Sequence, residues 1–111
     1  MIDETTFRRV SDHALESLKQ SLISAEEAGN FETEDHNGVL NVLFEDGSTK
    51  FVFTPQAPVR QIWISARTTS FKLDWSPEAS AFVLARTGET LTALTQRLLQ
   101  EHLANPAILL S

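Results

Sequence analysis

Phe7, Val10, Ala14, Leu18, Leu22 and Ala25 recur at spacings of three and four, the repeat of one stripe of an amphipathic helix. Asp3 is placed to cap its start, and Gly29-Asn30 to stop it. The opposite face carries Asp12, His13, Glu16, Glu26 and Glu27, with Arg9 and Lys19 among them. Then the period changes to two. Phe31-Glu32-Thr33-Glu34 alternates, Asn37-Gly38 gives a tight hairpin, and residues 39–44 read as the returning strand. Asp46-Gly47 repeats the device before a strand at 49–54, after which Pro55 and Pro58 break the chain. Further strands are expected at 61–65, 70–75 and 81–86. Leu91, Leu94 and Leu98 mark a closing helix capped by Thr90. Strands joined by hairpins form an antiparallel sheet, so the pattern predicts an α+β fold: a two-layer sandwich with two helices on one face of a roughly six-stranded sheet. No repeat, linker or low-complexity segment divides the chain. Residues 1–111 are expected to form one domain, with an apolar tail at 104–111 (Ile108, Leu109, Leu110) packed back on it.

The strand Gln61-Ile62-Trp63-Ile64-Ser65 has a consequence of its own. Alternate side chains of a strand point to opposite faces. With Ile62 and Ile64 in the core, Gln61, Trp63 and Ser65 face the side the helices leave bare. An outward tryptophan fits a binding hot spot, and it fits equally well a ring packed under a loop or beside Lys72. The pattern leaves both open.

Composition narrows the function. With 111 residues and 41% apolar positions, the chain can build one hydrophobic core. It has no cysteine, which removes disulfides, thiolate metal sites and cysteine nucleophiles. No apolar run approaches a membrane span, and the start Met1-Ile2-Asp3-Glu4 lacks the basic, then apolar, pattern of a secretory signal. The expected setting is cytoplasmic, with no membrane partner. A net charge of −6 argues against nucleic acid. The charge is uneven: residues 1–46 hold eleven of the fifteen carboxylates, and from Glu26 to Asp46 there is no Lys or Arg. Such a field steers cations or basic partners, although a solvated acidic face that only aids solubility looks the same in sequence.

For metal chemistry, Asp12, His13 and Glu16 fall within one helical turn, and Glu32 and Glu34 alternate onto one strand face. Carboxylates without thiolates suit hard or borderline cations in open, water-rich shells. There is no H-E-x-x-H and no EF-hand loop. His102 lies near the apolar stripe of the last helix, where a packing role is expected. Enzyme signatures are absent: no Gly-rich phosphate loop, no G-x-S-x-G and only four glycines. A non-catalytic role is expected.

The run Asn37-Gly38-Val39-Leu40, Asp46-Gly47, Gln56-x-Pro58-x-x-Gln61-Ile62-Trp63-Ile64-Ser65 and Asp74-Trp75 resembles the frataxin family. The match continues through Phe82-Val83 and Thr87-Gly88 to the Leu-rich last helix, so that it covers most of the chain from Phe7 to Leu103. The Gln-Ile-Trp strand after a proline-broken loop is its most specific part, and the start without a transit peptide resembles the bacterial branch. The resemblance implies weak, surface-bound iron (Fe2+/Fe3+) on an acidic ridge, here Asp3, Glu4, Asp12, Glu16, Glu26, Glu27, Glu32 and Glu34. It implies docking on the cysteine desulfurase and scaffold protein that build iron–sulfur clusters, with Gln56, Gln61 and Trp63 as the sheet contacts. Three roles follow as expectations: an iron-binding regulator of cluster assembly acting as a monomer, an iron chaperone or store with weak ferroxidase activity, or an interaction module without iron.

The sequence also departs from the family pattern. Thr54-Pro55 stands where the family usually has Asn and a basic or polar residue, and Phe82 replaces a usual tryptophan. Lys19, Gln20, Ile23 and Ser24 interrupt the acids of the first helix. The implied ridge is thinned in its middle, which argues against multi-iron storage more than against docking.

Overall fold

A 26-residue helix, α1 (Glu4–Gly29), opens the chain, and a second, α2 (Leu91–Leu103), closes it. Between them run β1 (Phe31–His36), β2 (Val39–Phe44), β3 (Lys50–Gln56), one 3-10 turn (Ala57–Val59), β4 (Gln61–Ala66), β5 (Thr69–Ser76), β6 (Ala81–Leu84) and β7 (Glu89–Thr90). The computed structural model describes residues 2–47 and 49–110. Met1 and Ser111, the ends of the expected domain and tail, lie outside the described residues. The strands form one antiparallel sheet in chain order, β1 to β7.

Local chemistry accounts for the ends of these elements. The Asp3 carboxylate accepts the Thr6 N–H at 2.7 Å, and the Thr90 hydroxyl accepts the Ala93 N–H at 3.2 Å, each satisfying an orphan donor of a first helical turn. Asn30 ends α1 in the left-handed region at φ 54°. Asn37 (φ 53°) and Gly38 (φ 84°) both adopt positive φ, as a two-residue hairpin between right-twisted strands requires. The pairing Phe31↔Phe44 through His36↔Val39 follows from that turn.

One side of the sheet is buried. Leu40, Phe53, Ile64 and Phe71 sit opposite one another across four strands and are all buried, as are Ile62 and Leu73 beside them. Phe7, Leu15, Leu18, Leu22 and Ala25 of α1 and Leu91, Leu94, Leu98 and Leu99 of α2 complete this core. Among the described residues, no helix covers the other side of the sheet. Ile108 in the tail is buried, and Gln100 Nε2 donates to its carbonyl at 2.8 Å. No helix is long and apolar enough to cross a membrane, among the described residues.

Three details differ from the sequence reading. The stripe of α1 is centred on Phe7, Ser11, Leu15, Leu18 and Leu22, so Val10 and Ala14 lie at its margin, half-buried. Pro55 does not break the chain: β3 continues through it, pairing Pro55 with Ile62. The ladder to β2 has already ended at Phe53, so β3 is paired there on one side only, the setting in which a strand tolerates proline. Finally, the strand expected at 81–86 stops at Leu84. Thr87 and Gly88 both donate to the Leu84 carbonyl, with Gly88 at φ 78°. The chain returns as the two-residue β7, making seven strands where about six were expected.

Candidate functional site: an acidic groove beside a bare sheet face

The expected acidic residues separate into groups with different surroundings. Asp3 is taken up by capping α1: the Thr6 N–H holds its carboxyl below the usual carboxylate range. Glu4 is paired with Arg8 at 2.7 Å, and hydrogen bonding to that guanidinium likewise lowers its pKa. Asp12 and Glu16 lie further along α1, on the flank that faces β1. There they line a small cleft together with Lys19 and Asp35. The Lys19 ammonium contacts the Asp35 carboxylate at 3.0 Å, and that hydrogen bond, more than the charge of Glu16 nearby, raises its pKa. His13 is not part of this cleft; it lines a groove on another flank of α1. Successive helical residues point about 100° apart, so the grouping Asp12, His13, Glu16 suggested by spacing does not form. Among the described residues no three His, Asp or Glu side chains converge as a ligand set.

Of the other four candidates, three line one groove, and Glu34 lies apart from them. Glu26, Glu27 and Glu32, with Glu45, line an open groove of about 800 Å³ between the end of α1 and the start of the β1–β2 hairpin. Glu45 is a residue the sequence reading did not assign to the ridge. Its backbone N–H bonds to the Asn30 carbonyl at 3.2 Å, continuing the β1–β2 ladder by one step and bringing its side chain to the groove. Glu26 is tied down: one carboxylate oxygen accepts the Thr33 N–H at 2.6 Å. This covers one exposed donor of β1, the edge strand of the sheet. Ile23, exposed, and Leu43, half-buried, add apolar surface to the same groove. The result is a shallow, wet, anionic concavity with an apolar rim. Its carboxylates suit an open cation shell or a basic, partly apolar protein segment.

Glu32 pairs with Leu43, and Glu34 with Asn41. Both acids therefore point to the bare face of the sheet, since the buried residues Phe31, Leu40 and Phe44 occupy the opposite parity. Following the ladder, Asn41 pairs with Val52 and Val52 with Ser65, two residues from Trp63 on the same side of β4. Glu34 and Trp63 thus share one surface.

On that surface Trp63 is half-buried, and it is fixed from two sides. Its indole N–H donates to Gln61 Oε1 at 2.8 Å, and the Lys72 ammonium lies 4.7 Å from the ring centroid. Gln61 Nε2 in turn donates to Asp74 at 3.0 Å. The ring faces outward and packs beside Lys72, the second of the two readings left open by the sequence. Gln56 pairs with Gln61 on the same face. Asp74 was missed as a partner of this network, although the β4–β5 hairpin register Gln61↔Asp74 carries the signal. A pre-positioned indole flanked by a cation and a carboxamide chain offers apolar area at little entropic cost on binding.

Comparison with known proteins agrees with this architecture. Residues 1–105 match the family model described as the frataxin-like domain. A protein of Pseudomonas entomophila (strain L48) named iron-sulfur cluster assembly protein CyaY is 29% identical over 101 residues, which are 91% of this chain and 89% of that protein. The protein of the same name from Pseudomonas syringae pv. syringae (strain B728a) is 35% identical over 69 residues, 62% of each chain. The solved structure of frataxin from Psychromonas ingrahamii superposes with a TM-score of 0.78 over 91% of both chains at 14% identity, a likeness of fold alone. With the helix–sheet–helix order, the bare sheet face and a family model matching nearly the whole chain, the protein belongs to the frataxin family and is of the bacterial, CyaY-like type.

Proposed function

We propose that this protein is a non-catalytic regulator of iron–sulfur cluster assembly, docking on the cysteine desulfurase and its scaffold protein in the bacterial cytoplasm. The observation that carries the reading is the continuity of two surfaces. The acids Glu32 and Glu34 and the fixed indole of Trp63 share the one sheet face with no helix over it, and Glu32 also reaches the anionic groove with Glu26, Glu27 and Glu45. The names of the Pseudomonas relatives support the process. In this reading the acids steer a basic partner and set its orientation, while Trp63, with Gln56 and Gln61 beside it, supplies the contact that holds it.

Iron, as cargo, would be held by the carboxylates around the groove in an open shell completed by water. The readings as a store or a ferroxidase draw less support, because the acids are dispersed and several are already engaged by Thr6, Arg8 and Thr33. The test is charge reversal on the bare face. Glu32→Lys with Glu34→Lys should weaken desulfurase binding strongly at low salt and little at high salt, since both side chains are exposed and their field is screened. Binding that is independent of salt and indifferent to the double change would remove the acids from the interface.

A further inference from the structure

A second groove lies on the flank of α1 that faces α2, and its chemistry is opposite to that of the acidic one. It has a volume of about 560 Å³, inside the roughly 300–1,000 Å³ usual for small-molecule sites. Its floor is apolar, formed by Val10, Trp75 and Phe82. Phe82 is buried and held edge-on by Phe7 at a centroid distance of 5.9 Å, and Trp75 leans on Phe82 at 5.2 Å while staying half-exposed to the groove. The floor is therefore rigid, and it presents part of an indole ring. Around the rim stand Arg9 and His13, one turn apart on α1, and Thr92 in the first turn of α2.

Charge singles this groove out. None of its lining residues is Asp or Glu, in a chain of net charge −6. The clefts around Glu26 and Glu45, around Asp12 and Asp35, and beside Asp46 are all lined by carboxylates. Arg8, the neighbour of Arg9, is neutralised by Glu4. Arg9 and His13 make no hydrogen bond or close ion pair among the described residues, and both residues are exposed; Arg9 attracts the Asp3 carboxylate only through space, and that carboxylate is already taken by the Thr6 N–H. A guanidinium free of hydrogen bonds at the rim of a half-open aromatic floor matches a planar anion with an apolar body, because its fork meets a carboxylate through two parallel hydrogen bonds. A free inorganic anion would leave the apolar floor unused. A purely apolar ligand would leave the cation without a partner.

We propose that this groove binds a small aromatic monocarboxylate, its ring against Trp75 and Phe82 and its carboxylate between Arg9, His13 and Thr92. The site is separate from the assembly surface and does not depend on that role. The experiment is an NMR titration of the full chain with 2-naphthoate and, in parallel, its neutral analogue 2-naphthamide. Saturable shifts confined to Val10, His13, Trp75, Phe82 and Thr92 are expected with the carboxylate. The amide should bind about tenfold more weakly or worse, the loss expected for one charge-assisted contact. Arg9→Gln should weaken the carboxylate by a similar factor while leaving Tm nearly unchanged, since the native side chain has no hydrogen bond to lose and only an exposed, screened attraction to Asp3. Shifts that never saturate, shifts scattered over the sheet face, equal binding of the amide, or an Arg9→Gln variant binding as wild type would each overturn the site. So would line broadening that depends on protein concentration alone, which would mean a second copy occupies the groove.

Discussion

Replacing Trp63 with alanine separates a contact surface from a core. Truncation removes one indole hydrogen bond to Gln61 and one cation–π contact with Lys72. A neutral hydrogen bond contributes about 1 kcal/mol net, and an exposed cation–π pair about 0.5–1 kcal/mol. Both lie on the helix-free face, so no buried cavity opens. The expected loss is roughly 1.5–2 kcal/mol, against about 3–5 kcal/mol for an aromatic removed from a core. For a domain of this size that lowers Tm by roughly 6–12 °C. Phe53, fully buried on the opposite side of the sheet, provides the contrast: Phe53→Ala should cost about 3–5 kcal/mol. Partner affinity should respond differently. A central aromatic hot spot is worth about 2 kcal/mol or more, roughly 30-fold in Kd. The assay is urea denaturation of both variants, with titration of folded Trp63→Ala against the desulfurase by calorimetry. A stability loss as large as that of Phe53→Ala would show that the ring belongs to the core. A Kd within twofold of wild type would remove it from the interface.

Three further outcomes follow from the geometry. A methyl group added at Gly29 would collide with the Phe31 ring and sit 2.9 Å from Ile108; Gly29→Ala should therefore lose about 1–3 kcal/mol to overpacking despite alanine's better helix propensity, and an unchanged or raised Tm would refute the close approach. Burial against Phe44 and Phe51, and then the charge of Arg67, hold His102 below the usual histidine range, with Asp46 acting the other way. The unfolded chain then binds the proton more tightly, so this contribution is fully present above the ordinary value of 6.5 and is lost as pH falls through the folded one. Urea midpoints between pH 7.5 and 5.5 should drop for wild type and drop less for His102→Gln; parallel curves would refute it. Glu26→Ala should expose the Thr33 amide to faster hydrogen exchange and cost about 1.5–3 kcal/mol, the worth of a hydrogen bond to a charged acceptor. Glu26→Gln, which can still accept that hydrogen bond, should cost less, and equal losses would mean the bond contributes nothing.

Most of the architecture is written in periodicity, because a change from period three-and-four to period two reports which face of each element is buried. Where the reading slipped, a local signal competed with a tertiary one. Pro55 carries a strong local breaker signal, yet β3 had already outrun β2, and nothing in the sequence marks where one ladder ends. Thr87-Gly88 carries part of the family resemblance, but β7 is two residues long, too short for any pattern. Val10 and Ala14 fit the helical repeat as well as Ser11 and Leu15 do, and only the packing of α1 on the rest of the domain decides between them. The candidate site was legible as charge and not as geometry. Glu32, Glu34 and Trp63 were placed by strand parity alone. Glu45 and Asp74 could have been found by extending the Asn37-Gly38 and Arg67-Thr68 hairpins residue by residue, since each turn fixes every pairing beyond it. The separation of His13 from Asp12 was within reach of the helical step of about 100°, whereas which cleft each side chain lines required the packing of α1 on the sheet.

The most direct test of the central claim is the rate of iron–sulfur cluster formation by the cysteine desulfurase and scaffold protein as this protein is added, with and without excess ferrous iron. A saturable change in rate that disappears with Glu32→Lys and Glu34→Lys is the predicted result. A rate that stays constant at every concentration of added protein, in both iron conditions, would contradict the proposed role.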